Sequence, residues 1–410
     1  MASRVSIPLM VAAGLCLSHC GNNESDKAVQ KVIVAGTPVS GSNVLSIQVG
    51  GGMSVCGSAS YPNEPCTSVT LCQVGTSTCQ TISDILVDTG SVGLRVFSSA
   101  ISLSLTNIVD GSSNTLAQCA QFGSGSTWGP MATADVVLGG ESAVTMPIQL
   151  INSSFKTVPG SCNFHLETSP SFAGFNGILG VGQFREDCGT TCAVSNSNGM
   201  YFACPSASST CSGTTVAVAN QVPNPVHKLP VNNNGVIVAM PSVPDTGAWK
   251  VTGSLILGVG TQTNNQPLGT ETVYLSNSTG NFTTTFNSTT FTNQAFTDTG
   301  SNALFFPAAV GPATCSAGSI APGFFCPTST QSNTATVAGS SGGSSGSVSF
   351  KIANAVSLLN NGDTAFHNLG GTMNTYFDWG LPFFFGRTVT VVIQGKTATG
   401  LTGTGPYIAF

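Results

Sequence analysis

The chain reads as a succession of short apolar runs separated by turn residues. The run 44–49 (Val-Leu-Ser-Ile-Gln-Val) alternates apolar and polar positions, and further short runs recur at 68–71, 84–87, 135–138, 235–238, 254–257 and 388–393. Alternation with a period of two, or a brief apolar run closed by Gly, Asn, Ser or Pro, marks a strand buried on one or both faces. No stretch keeps a 3.6-residue period over a useful length, so the pattern predicts a mainly β fold. The segment 339–347, Gly-Ser-Ser-Gly-Gly-Ser-Ser-Gly-Ser, is a low-complexity surface loop. It contains a G-x-S-x-G match around Ser341. A nucleophile elbow needs a hydrophobic strand before that serine and a helix after it, and the sequence offers neither, which leaves a serine hydrolase remote.

Charge narrows the function classes. Lys and Arg number 11 and Asp and Glu 16 in 410 residues, a net charge of −5. Coiled coils, charged tails and long amphipathic bundles need far more charge than this. Without a Lys/Arg cluster there is nothing to neutralise a phosphate backbone, so nucleic acid is excluded as a partner.

The amino terminus predicts export. Residues 1–20 carry one positive charge, Arg4, and an apolar run 5–17 too short to span a membrane, the layout of a signal peptide. Residues 17–21, Leu-Ser-His-Cys-Gly, resemble a bacterial lipobox, in which Cys20 would be acylated and become the mature terminus; His19 departs from the small residue usual there. The resemblance implies an outer-membrane lipoprotein of the bacterial cell envelope, or a periplasmic or secreted protein if the lipobox is unused. Residues 21–43 then read as a flexible tether. Twelve cysteines follow Cys20, an even number. Local spacing suggests the pairs 56/66, 72/79 and 315/326, and Cys119 is expected to pair with Cys162 because neither has a nearer free partner. Cys188, Cys192, Cys204 and Cys211 allow three connectivities. With no C-x2-C pair and four scattered histidines, no zinc site is expected, nor any cofactor.

The tripeptide Asp-Thr-Gly occurs three times. Asp88 follows Ile85-Leu86-Val87 and Asp298 follows Ala295-Phe296-Thr297; both extend to Asp-Thr-Gly-Ser and run into a second apolar segment. The third copy, Asp245-Thr246-Gly247, follows Pro244, which removes a strand donor, so it reads as a surface turn. Two copies in matching contexts resemble the paired active-site loops of the pepsin-like aspartic peptidases, in which two homologous β lobes each contribute one aspartate. Further segments resemble the family in order. Asn176 to Gly182 is similar to the hydrophobic-hydrophobic-Gly strand of the first lobe, and Trp379 to Val389 is similar to its second-lobe counterpart. Gln121 to Gly129, with Phe122, Gly123 and Trp128, is similar to the flap hairpin, Phe122 standing where the family has tyrosine. The arrangement from about residue 44 to 410 is also similar to a bacterial lipoprotein family of uncharacterised function that bears duplicated aspartyl motifs.

The resemblance implies a two-lobed fold, with lobes at 44–240 and 241–410 and a cleft between them. It implies an aspartic endopeptidase that acts as a monomer on extended peptide or protein, with Asp88 and Asp298 as the catalytic pair. Two carboxylates held about 3 Å apart cannot both ionise, so one is a base towards a shared water and the other an acid towards the scissile carbonyl. Gly90 and Gly300 let backbone N–H groups approach the carboxylates, Thr89 and Thr299 can reach the opposite loop, and Ser91 and Ser301 can hold the outer oxygens. The alternative is a catalytically silent lipoprotein of the same fold that binds peptide or glycan in the cleft.

Overall fold

A computed structural model describes residues 31–57 and 61–410. The protein is mainly β, and the strands of the described residues form two sheets of 17 and 7 strands. The first takes most of the chain up to Leu257 and regains residues near the carboxyl end. The second runs in the order Ser345–Ile352, Gln331–Ala338, Phe282–Phe286, Thr289–Asp298, Phe377–Gly380, Leu304–Phe306 and Gly370–Thr372.

The two sheets share one local plan. In the first, strand Cys79–Asp88 lies parallel to Gly177–Val181, with Asp88 opposite Gly180, and Gly177–Val181 is antiparallel to Val92–Phe97. In the second, Thr289–Asp298 lies parallel to Phe377–Gly380, with Asp298 opposite Gly380, and Phe377–Gly380 is antiparallel to Leu304–Phe306. Each aspartate therefore ends a strand that is buried over its last four residues. Each faces a glycine where a side chain could not fit: a Cβ on Gly180 would come within 2.7 Å of the Val92 carbonyl carbon, and one on Gly380 within 2.1 Å of the Ala303 oxygen.

The core of the second sheet is aromatic. Phe306 stacks on Phe377 at 5.0 Å between ring centroids, Phe377 meets Trp379 at 4.6 Å, and Phe286 and Phe350 close the group. Ring pairs at these separations add directional preference to area burial and fix the strand that opposes Asp298. The phenylalanines at 305–306 and 383–385 are all buried core.

The chain crosses residue 241 inside one sheet, since Gly235–Ala239 and Lys250–Leu257 are antiparallel partners, and Thr388–Val392 returns from the carboxyl end to pair with Gly235–Ala239. The segment read as a tether over 21–43 belongs to the fold from Ile33 onward. Ile33–Ala35 pairs in parallel with Lys250, Val251 and Thr252, and the buried Asn43 donates to the Leu257 carbonyl. Three residues of backbone pairing suffice to order a stretch whose composition alone looks like a linker. The signal peptide and Cys20 lie outside the described residues.

All twelve cysteines after Cys20 are disulfide-bonded: 56–66, 72–79, 119–162, 188–192, 204–211 and 315–326. The quartet thus resolves into two short local loops. Ser341 lies exposed in the turn between Gln331–Ala338 and Ser345–Ile352, with no helix after it. Among the described residues, no helix is long and apolar enough to cross a membrane.

Candidate active site

The two Asp-Thr-Gly-Ser loops meet face to face and repeat the same bonds. Gly90 N–H donates to Asp88 Oδ1 at 2.8 Å and Gly300 N–H donates to Asp298 Oδ1 at 2.7 Å. The hydroxyls of Ser91 and Ser301 donate to the Oδ2 atoms of Asp88 and Asp298. Across the junction, Thr89 N–H donates to Thr299 Oγ1 and Thr299 N–H donates to Thr89 Oγ1, both at 3.0 Å, while Thr299 Oγ1 donates to the Val87 carbonyl at 2.7 Å. Each carboxylate thus has one oxygen on a backbone N–H and the other on a serine.

Glycine at the third motif position is required by proximity. A Cβ at Gly90 would sit 2.5 Å from Asp298 Cγ, and one at Gly300 would sit 3.0 Å from Asp88 Oδ1 and 3.1 Å from Asp298 Oδ1. The two inner carboxylate oxygens therefore converge on one spot. Both aspartates are fully buried. Burial first, and then the adjacent Asp88 carboxylate, push the Asp298 carboxyl up to about 7. This is the behaviour of two acids too close to share two negative charges.

Three contributors escaped sequence reasoning. Asp378 is buried on the strand beside Asp298, and burial, followed by the charge of Asp298, holds its carboxyl well above the usual range. The signal was an acid in the apolar run Phe377-Asp378-Trp379. Tyr61 donates its hydroxyl to the Gly300 carbonyl at 3.1 Å. Asn63, buried near Tyr61, donates to the carbonyls of Asn302 and Phe366 and accepts from Phe366 N–H. Nothing in the local sequence marks these two.

A family model described as "Protein of unknown function (DUF3443)" matches residues 39–410. The chain belongs to the DUF3443 family. No curated protein matches it. In this DUF3443 chain the hairpin expected as a flap exists: Thr115–Gln121 and Ser126–Val137 pair antiparallel, and Phe122 N–H donates to the Gly125 carbonyl at 2.7 Å. Gly123 is exposed at its turn. The half-buried Phe122 ring lies 5.7 Å from the Arg95 guanidinium. Trp128 is wholly buried, donating to the Phe155 carbonyl at 2.6 Å and packing on Phe202, so it anchors the base of the hairpin. Asp245 takes no part in the site. It lies exposed, bonded to Lys351 at 2.7 Å and His367 at 2.8 Å, and these partners hold its carboxyl below the usual range. Cys56, Glu64 and Cys66 cluster closely enough to suggest a metal site, but the two cysteines are bonded to each other and offer no thiolate.

Proposed function

We propose that this protein is an aspartic endopeptidase of the two-lobed, pepsin-like kind, and that Asp88 and Asp298 hydrolyse peptide bonds through a shared water. The observation that carries the reading is the duplicated loop. Two Asp-Thr-Gly-Ser segments from different sheets exchange threonine bonds and bring their inner carboxylate oxygens to one point. In the proposed mechanism Asp298, whose carboxyl is pushed up, keeps the shared proton, and Asp88 takes a proton from the water. The water attacks the scissile carbonyl while Asp298 hydrogen-bonds the developing oxyanion; the proton taken up by Asp88 then passes to the leaving amine as the C–N bond breaks, and the pair ends with the one proton it began with. The substrate is an extended peptide, bound by strand-like main-chain bonds. The disulfides fit an oxidising compartment, and anchorage through Cys20 at the bacterial envelope completes the proposal.

The test is cleavage of a peptide library from about pH 3 to about pH 8 by wild type, Asp88→Asn and Asp298→Asn. A peptidase shows a bell-shaped profile, and each variant loses at least about 100-fold, the lower end for an acid–base group. Peptide or glycan binding retained in both variants, with no cleavage by wild type, decides for the silent alternative.

A further inference from the structure

The mechanism proposed above assigns Asp378 no step, yet its placement is specific. It pairs with Phe296 in the parallel register that sets Gly380 opposite Asp298. Side chains two residues apart share a face of a strand. Asp378 and Asp298 are therefore diagonal neighbours on one face of adjacent strands. Among the described residues, both oxygens of Asp378 are buried with no hydrogen-bond partner at bonding geometry, and the Ser301 hydroxyl is a side-chain group that acts on it. Ser301 in turn donates to Asp298 Oδ2 at 2.9 Å. Asp378, Ser301 and Asp298 thus form one row.

The first sheet shows what the fold needs at this position. Gly180 opposes Asp88 as Gly380 opposes Asp298, and the residue two before it is Ile178, paired with Leu86 and buried. Packing is satisfied there by a hydrocarbon. An acid at the matching place in the second sheet is a chemical addition, and a buried carboxyl without a counter-charge stays neutral. Among the described residues, the charged groups acting on it are both acids: Asp298 from the neighbouring strand and Asp88 from across the pair. The other neighbouring strand, Leu304–Phe306, and the helix Leu381–Phe384 carry no titratable residue.

We propose that Asp378 is a positioning residue of the candidate site, a neutral acid whose O–H turns the Ser301 hydroxyl towards Asp298 Oδ2. A neutral carboxyl has one O–H donor, and the Ser301 hydroxyl, which acts on Asp378, is the acceptor the proposal assigns to it. Ser301, accepting from Asp378, is left with its own hydrogen for Asp298 Oδ2. Both oxygens of Asp298 are then engaged as acceptors, the outer from Ser301 and the inner from Gly300 N–H, which supports the ionised form. The two-fold likeness of the loops is broken at this point, and the ionised form of Asp298 gains support that Asp88 does not receive from a matching acid.

This rests on the peptidase reading for its consequence, and its test does not. Carbon-13 NMR of labelled aspartate carboxyls in the full chain follows each acid directly, assigned with Asp88→Asn, Asp298→Asn and Asp378→Asn. In the wild type Asp378 remains protonated at neutral pH. Asp378→Leu, which removes the donor as Ile178 does in the first sheet, raises the Asp298 titration by about one unit, because ionised Asp298 loses support from Ser301. Asp378→Asn, whose amide still donates, returns the titration towards wild type. An ionised Asp378 at neutral pH, a Leu variant that superimposes on wild type, or an Asn variant displaced as far as Leu overturns the proposal. If wild type cleaves no peptide yet these shifts occur, the peptidase reading alone falls. If it cleaves and they do not, this inference alone falls.

Discussion

Thr89 and Thr299 each give a backbone N–H to the other's hydroxyl at the same distance, 3.0 Å, across the junction of the two sheets. The exchange is not fully symmetric, since Thr299 also donates to the Val87 carbonyl. Leaving a buried donor or acceptor unmade costs about 1–3 kcal/mol. Thr299→Val, which orphans the Thr89 N–H and the Val87 carbonyl, is therefore expected to destabilise more than Thr89→Val. Urea unfolding of both singles and the double variant checks this. The double should cost less than the sum of the singles, because both remove parts of one network.

Stability should fall as pH rises towards neutrality, and Asp298 is one cause. Its carboxyl stands at about 7 in the fold, above the usual value of about 3.9 in an unfolded chain. The folded state thus holds a proton that the unfolded state releases, and stabilisation present below about pH 4 is lost up to about pH 7. Asp298→Asn should flatten that slope and be the more stable protein at neutral pH, by an amount on the order of a few kcal/mol. Denaturant midpoints at acidic and neutral pH measure it, and equal slopes would count against the assignment.

Arg95 and Asp187 form a buried ion pair at 3.1 Å, with Tyr201 and Gln118 also donating to Asp187. Burial still pushes Asp187 up to about 6, against the pull of Arg95. Removing the cation strands a buried carboxylate, so Arg95→Met should cost about 3–5 kcal/mol at neutral pH and less below about pH 4, where Asp187 is neutral in both states. Thermal melts of this variant across pH show whether the deficit shrinks on acidification.

The disulfides should differ in weight according to the loop each closes. Cys119–Cys162 spans 43 residues and Cys188–Cys192 only 4. Chain-entropy arguments give about 4 kcal/mol for the former and about 2 kcal/mol for the latter. Paired Cys→Ala variants, compared by denaturant unfolding, should follow that order.

Legibility from sequence tracked locality. Asp88 and Asp298 were readable because the residues that bury and hold them are contiguous with them: an apolar run before, Thr-Gly-Ser after. Asp245 was readable as a surface turn from its neighbour Pro244, and it lies on the surface paired with Lys351 and His367. Asp378 was not, since its meaning comes from a register that sets a strand some 80 residues away beside Asp298. The same applies to Asn63, whose partners are Asn302 and Phe366. The cysteine quartet needed the pairing of Tyr201–Cys204 with Ser212–Gly213, which brings Cys204 and Cys211 together. The order at Ile33–Ala35 depends on a strand more than 200 residues later.

The return of Thr388–Val392 to the first sheet sets an order of events for a newly made chain. Gly235–Ala239 is an almost wholly apolar strand, and among the described residues one of its two edges is covered only by Thr388–Val392, which Tyr407–Ala409 then covers in turn. While the chain emerges from amino to carboxyl end, that edge stays open for the whole time the second sheet is being made. An open apolar edge is a template for pairing with another chain. The protein is therefore most vulnerable to aggregation late in its synthesis, and truncation just before Thr388 would leave the hazard permanent.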